Sequence, residues 1–287
     1  MKKQDLFFRS SDGKTDIHYM VWDTDDGKAC GIVQLVHGMS EYIGRYSEFA
    51  EYLTGQGYAV IGHDHLGHGQ SVSDKSRYGI FSEKDGLKHL VEDIHTVSEK
   101  ARSLWPDKKL IILGHSMGSF IMRYYVTKYS NEFDAAVFMG SGWVTKFVAK
   151  LGYSVAEKTI KKEGYFGKSQ RITNNVVTAN NKKFAPTRTP SDWLSRNEEN
   201  VDRYIADDMC GFEFTVSAYK DFFECMEYLA MGTGEENIRR DMPILIISGS
   251  EDPVGGRAGC TKIKKHYDKI GLKNVTLKLF ENDRHEI

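Results

Sequence analysis

Gly114-His115-Ser116-Met117-Gly118-Ser119 follows the apolar run Lys109-Leu110-Ile111-Ile112-Leu113 and precedes Phe120-Ile121-Met122-Arg123-Tyr124-Tyr125-Val126. The first run reads as a buried strand, and the second carries helical periodicity. Strand, G-x-S-x-G and helix together predict a turn sharp enough to raise the serine hydroxyl above a sheet as a nucleophile. Gly114 and Gly118 flank Ser116 because a side chain at either place would collide with the neighbouring strand or helix. The five-residue pattern is weak by itself. Its neighbours, and partners further along the chain, make it informative.

Working outward, residues 5–10 and 15–22 read as an opening pair of strands. Val33-Gln34-Leu35-Val36 is an apolar strand that runs into His37-Gly38-Met39. Helical spacing over 45–55 leads to a strand at Tyr58–Ile61, and a helix over Gly86–Leu104 leads to the strand before Ser116. Ala135–Met139, Ile244–Ile247 and Val275–Phe280 complete the strands, with a helix over 257–269. Apolar strands alternating with amphipathic helices predict an α/β fold with a mostly parallel sheet covered on both faces. Ligands of such sheets sit beyond the carboxyl ends of the strands, and the chemistry-bearing motifs of this chain all fall there.

The alternation breaks over 143–240, which lacks a good strand but has helical periodicity at 144–160 and 215–230. A core of 1–142 and 241–287 with a helical cap inserted at 143–240 is therefore expected. From Lys146 to Arg188 ten Lys/Arg face Glu157 and Glu163, a net charge of +8. From Ser191 to Asp241 thirteen Asp/Glu face five Lys/Arg, a net of −8. Two solvated faces that partly pair with each other explain this simply. The alternative is a peripheral membrane contact, with the basic half of the cap lying on anionic lipid.

With 287 residues and 40% hydrophobic side chains, the chain can build one large domain with an insertion. A net charge of −1 gives no global attraction to nucleic acid. Cys30, Cys210, Cys225 and Cys260 are scattered and read as free thiols. Met1–Phe8 carries no signal-peptide pattern, and no segment approaches the roughly 18–20 apolar residues of a membrane span. A soluble, cytoplasmic protein is expected, with membrane association at most peripheral.

A serine at such a turn needs a base, an acid that orients the base, and donors for the oxyanion. In this type of sheet the order along the chain is Ser, Asp or Glu, then His. Asp252 follows the strand at 244–247, and His285 follows the last strand. Ser116, Asp252 and His285 are thus the candidate catalytic residues. Glu251 is the alternative acid, though loop position favours Asp252. His266 is the rival base, but it falls within a helix. His63, His65 and His68 resemble a metal cluster, yet their spacing fits no standard zinc pattern. No metal and no cofactor is expected. The oxyanion donors should be the backbone amides of Met39 and of Met117, which opens a helix.

Taken together, these segments resemble the monoglyceride lipase and lysophospholipase branch of the α/β-hydrolases. The matching residues are His37-Gly38-Met39-Ser40-Glu41-Tyr42, Gly44-Arg45-Tyr46, His63–Gly69, Gly114–Ser119, Gly249–Gly255 and Asp283-Arg284-His285-Glu286. The resemblance implies the same triad, the same oxyanion amides, and a cap forming an apolar acyl-chain tunnel. It implies hydrolysis of a lipid ester, a monoacylglycerol or lysophospholipid, through an acyl-serine. An aminopeptidase or short-chain esterase on the same scaffold is the alternative; Glu213 and Glu224 are carboxylates of the cap that could hold a substrate ammonium. A lipid-binding protein without turnover is a second alternative. Dehalogenase and epoxide-hydrolase chemistry would place Asp where Ser116 stands. Relatives continue past the histidine with a helix that packs on the sheet, whereas this sequence stops at Ile287. If nothing follows, one sheet face lacks its cover and His285 is expected on a fraying terminus.

Overall fold

The computed structural model describes residues 1–287. Eight strands form one sheet in the order β1-β2-β4-β3-β5-β6-β7-β8. β1 (Lys2–Arg9) and β2 (Asp16–Asp23) form the predicted opening pair and run antiparallel to their neighbours. β3 (Gly31–Val36), β4 (Tyr58–His63), β5 (Leu110–His115), β6 (Ala135–Met139), β7 (Pro243–Gly249) and β8 (Asn274–Phe280) are mutually parallel. This is the α/β architecture that the alternation of strands and helices predicted.

The crossovers are α1 (Ser47–Gly55), α2 (Gly86–Leu104), α3 (Met117–Tyr129) and α8 (Gly256–Lys269). α2, α3 and α8 bury their apolar stripes on one sheet face, where Ile32, Ile112, Phe138 and Ile246 meet Ile94, Ile121 and Ile263. α1 packs on the other face, over Met20, Trp22, Val33, Val60 and Leu113. On that side Val137, Leu245 and Ile247 are only partly buried, and Thr276 and Lys278 are exposed.

Between β6 and β7 lie α4 (Lys146–Glu163), α5 (Gln170–Val176), α6 (Glu198–Ala206) and α7 (Val216–Met231). α4 and α7 overlap the two helical stretches read from periodicity, 144–160 and 215–230, each shifted by one to three residues towards the C-terminus. α5 and α6 were not anticipated. Thr145, Asn197 and Thr215 cap α4, α6 and α7 through their side chains, satisfying amides that would otherwise lack partners. No helix is long and apolar enough to cross a membrane.

Candidate active site

β5 ends at His115 and α3 begins at Met117, so a single residue makes the turn. Ser116 adopts φ +51°, ψ −123°, a region that side-chain-bearing residues rarely occupy. The glycines make this closeness possible. A Cβ at Gly114 would lie 2.6 Å from both the Gly118 carbonyl oxygen and Met122 Cγ, and one at Gly118 would lie 2.3 Å from the Val36 carbonyl oxygen. Strand, turn and helix therefore pack backbone against backbone.

Asp252 and His285 meet at the carboxyl ends of β7 and β8. His285 Nδ1 lies 3.0 Å from Asp252 Oδ1, and both side chains are almost wholly buried. Asp252 Oδ1 also accepts from the Val254 amide and Oδ2 from the Ser248 hydroxyl. Burial alone would raise the Asp252 carboxyl; the His285 charge, its hydrogen bond and these donors outweigh burial and hold it below the usual carboxylate range. An ionised Asp252 makes Nδ1 the protonated nitrogen of His285 and leaves Nε2 as an acceptor. Nε2 is buried and has no hydrogen-bond partner within the protein. The imidazole is packed between His115 and Trp193, with ring centroids 4.8 and 4.9 Å away.

The competing residues lie elsewhere. Glu251 pairs with Lys183 at 2.8 Å, and His266 with Glu235 at 2.8 Å. His63, His65 and His68 are fully buried near His37, and no group of three His, Cys, Asp or Glu side chains is arranged to hold a metal.

Ser116 and His285 line a cavity of about 640 Å³, together with Met39 and Met117. The amides of Met39 and Met117 donate to no protein acceptor. The loop after β3 reaches the serine closely: a Cβ at Gly38 would lie 3.1 Å from Ser116 Cβ. Hydrophobic side chains make up 19 of the 34 that line the cavity, including Phe120, Leu151, Val155, Phe222 and Phe223. Glu213 also lines it and accepts from the Thr173 hydroxyl at 2.8 Å, whereas Glu224 is exposed on the outer side of α7.

Residues 284–286 are tied to the rest of the protein. His285 is 1% exposed, and the Glu286 amide donates to the Leu194 carbonyl at 2.7 Å. Arg284 donates to the carbonyls of Asp192 and Ser195. Arg45 makes a bidentate pair with Glu286 (2.9 and 3.1 Å) and also binds Glu41 at 2.6 Å. Glu41 accepts in addition from the Gly38 amide and lies 3.1 Å from His115 Nδ1. Burial would raise the Glu41 carboxyl; the Arg45 guanidinium and His115 outweigh it and hold it well below its ordinary range. The loop after β3 and the segment carrying His285 are thus tied together by one arginine. The i, i+4 spacing of Glu41 and Arg45 was a readable signal for that pair; Glu286 had none.

The Hydrolase_4 family, serine aminopeptidase S33, matches residues 27–287. The chain belongs to this family. Its fold is that of the α/β-hydrolases, and it is a hydrolase. It is 28% identical over 279 residues to a monoacylglycerol lipase of Mycolicibacterium smegmatis, covering 96% of this chain and 88% of that one. It is 27% identical over 263 residues to the mouse monoglyceride lipase, covering 90% and 76% respectively. Among solved structures it is similar to a highly thermostable carboxyl esterase from Bacillus coagulans in complex with glycerol. There the TM-score is 0.89 at 26% identity, covering 100% of this chain and 92% of that one.

Proposed function

We propose that this hydrolase cleaves carboxylic esters of long-chain acyl groups, with monoacylglycerols and lysophospholipids as the substrate class. The observation that carries this reading is the largely apolar cavity of about 640 Å³ that reaches Ser116. Its size falls within the roughly 300–1,000 Å³ of pockets that enclose a small ligand. The names borne by its relatives, monoacylglycerol lipase and carboxyl esterase, support the same class.

In this mechanism Ser116 Oγ attacks the ester carbonyl carbon while His285 Nε2 takes its proton. Asp252 keeps Nδ1–H oriented and stabilises the imidazolium. The carbonyl oxygen becomes an oxyanion that the Met39 and Met117 amides receive; these donors, already unpaired, need no rearrangement at the moment of reaction. Collapse breaks the ester C–O bond, and His285 returns the proton to the leaving alcohol. A water then attacks acyl-Ser116 by the same route and releases the fatty acid. No cofactor or metal enters these steps. We assign residues 143–240 the role of a cap that supplies the acyl-binding wall.

Chain length tests this reading. Each buried methylene contributes up to about 0.8 kcal/mol, so kcat/KM for p-nitrophenyl or glycerol esters should rise several-fold per two carbons until the cavity is full. A series from C2 to C16 measures it. A flat profile, or a preference for acetate and butyrate, would instead favour a general esterase. Glu213 on the cavity wall favours one second reading, an aminopeptidase that holds a substrate ammonium. Turnover of aminoacyl anilides in preference to esters would select it.

The outer surface of α4 extends the proposal to where substrate is gathered. Phe147 and Leu151 are 75% and 53% exposed, and Leu151 also lines the cavity. Lys146, Lys150, Lys158, Lys161 and Lys162 lie on the same helix. Apolar side chains framed by lysines suit the surface of an anionic bilayer, where each cation near the surface adds about 1 kcal/mol. Co-sedimentation with anionic but not neutral vesicles, weakened by salt, is the expected result. Binding to neither vesicle would remove this part of the proposal.

A further inference from the structure

His37, His65 and His68 are buried together, and each makes a hydrogen bond to the backbone of the loop after β3. His37 Nδ1 lies 2.8 Å from the Gly38 carbonyl oxygen and donates to it. His37 Nε2 accepts from the His65 amide at 3.0 Å, which settles which nitrogen carries the proton. His65 Nε2 returns a hydrogen bond to the His37 carbonyl at 3.2 Å. His68 Nδ1 donates to the Leu66 carbonyl at 3.0 Å, leaving Nε2 to accept from the Ser40 amide at 3.3 Å.

These bonds fall on two particular peptide units. The Gly38 carbonyl and the Met39 amide are opposite ends of one trans planar peptide, so holding the carbonyl aims the amide the other way. The Ser40 amide belongs to the next peptide, so His68 holds the unit on the other side of the Met39 Cα. Ser40 itself sits at φ +53°, a left-handed conformation that needs outside support in a side-chain-bearing residue. It receives that support from three directions. Besides His68 below, its carbonyl accepts from the Gly211 amide at 2.9 Å and the Tyr204 hydroxyl at 3.2 Å, and its hydroxyl donates to the Phe212 carbonyl at 2.7 Å.

We infer that His37 and His68 are positioning residues: two neutral imidazoles that hold the peptides on either side of Met39, so that the Met39 amide faces the cavity. The inference rests on the hydrolytic reading above, in which that amide receives the oxyanion. Neutrality is essential, because a second proton on Nε2 would set donor against donor at the His65 or Ser40 amide. Burial supplies it, pushing His37 down from its ordinary value and His68 to about 3. The surroundings of His68 are aromatic, with Phe81, Phe212 and Phe214 at 5.1–6.0 Å between ring centroids.

The test compares His68→Phe with His68→Gln, and His37→Leu with His37→Asn. Phenylalanine keeps a ring in the aromatic pocket and loses the acceptor; glutamine can place an acceptor near the position of Nε2. Asparagine can place a donor near the position of Nδ1, and leucine cannot. Three quantities are read on the full chain: kcat, KM for a long-chain ester, and the inhibition constant of a long-chain trifluoromethyl ketone. The serine adduct of that ketone carries an oxyanion. A misplacement of about 1 Å in a reacting group costs up to about 100-fold, so His68→Phe and His37→Leu should lower kcat by roughly 10- to 100-fold. The ketone should weaken by the same factor, KM should stay nearly constant, and His68→Gln and His37→Asn should recover part of the loss. A fall in kcat with unchanged ketone affinity would overturn the inference, and so would conservative variants no better than the disruptive ones. If His37→Leu does not fold, the His68 pair decides, because both its side chains fit the same pocket. Wild-type turnover that Ser116→Ala leaves intact would mark a failure of the hydrolytic reading itself. An active, Ser116-dependent wild type whose variants keep full kcat would mark a failure of this inference alone.

Discussion

Ser116→Ala is expected to lower kcat for the best ester substrate by about 10⁴- to 10⁶-fold while KM and thermal stability stay close to wild type. The reason lies in how the turn is built. Alanine keeps the Cβ, so the backbone at φ +51° and the contacts of Gly114 and Gly118 with neighbouring backbone are undisturbed. What disappears is the hydroxyl that the proposed mechanism uses as nucleophile, on the wall of the cavity that Met117 and His285 also line. Residual hydrolysis would come from binding and the oxyanion amides acting on water, which is why the loss is bounded. Steady-state kinetics beside a melting curve checks both halves. A variant that retains more than a tenth of wild-type kcat would show that Ser116 is not the nucleophile.

Asp252→Asn is expected to cost about 10⁴-fold in kcat at neutral pH, with substrate binding preserved. The amide is nearly isosteric, but its NH₂ can donate to Nδ1, which would move the imidazole proton to Nε2. In that tautomer the nitrogen facing the cavity can no longer accept the Ser116 proton. The substitution also bears on stability. The Asp252 carboxyl lies below 3.8 in the folded protein, so its charge contributes stability that is present above about pH 4 and is lost as pH falls through the folded value. The stability difference between wild type and variant should therefore narrow in acid, as urea titrations at neutral pH and below pH 4 would record. Equal kcat in the two proteins would remove Asp252 from the mechanism, and Glu251, paired with Lys183 in this structure, would need re-examination.

Local signals carried much of the fold. α2 and β6 span the same residues in the structure as in the sequence reading, because a strong stripe and sharp breakers bound them. The first and last strands shift by a residue or more, which is the usual uncertainty at element ends. α6 was legible in principle. Asn197 followed by Glu198 and Glu199 is a helix-start pattern, though the helix is short and its neighbours are polar. α5 shows only one buried side chain, Ile172, and so has little periodicity to read.

The candidate site divides in a similar way. Ser116, Asp252 and His285 could be read because each follows a strand and their order along the chain is constrained. Trp193 against His285, and Arg45 pairing with Glu286, could not, since these contacts join residues that no local period relates. The contacts that hold the segment around His285 were unreadable for the same reason. Leu194, Asp192, Ser195 and Arg45 hold it from distant parts of the chain. His63, His65 and His68 lie close in sequence and resemble a ligand set, although their spacing fits no standard zinc pattern. In the structure the ring nitrogens of His65 and His68, with those of His37, mostly serve backbone amides and carbonyls, and those of His63 have no partner within the protein.

The central claim is an acyl-enzyme formed on Ser116 during ester hydrolysis. Wild-type protein quenched in acid during steady turnover of a long-chain p-nitrophenyl ester, then digested and analysed by mass spectrometry, tests it directly. The account predicts a peptide containing Ser116 that is heavier by one acyl group less a hydrogen, and no such adduct in Ser116→Ala. Turnover accompanied by an adduct on a different residue, or undiminished in the alanine variant, would contradict it.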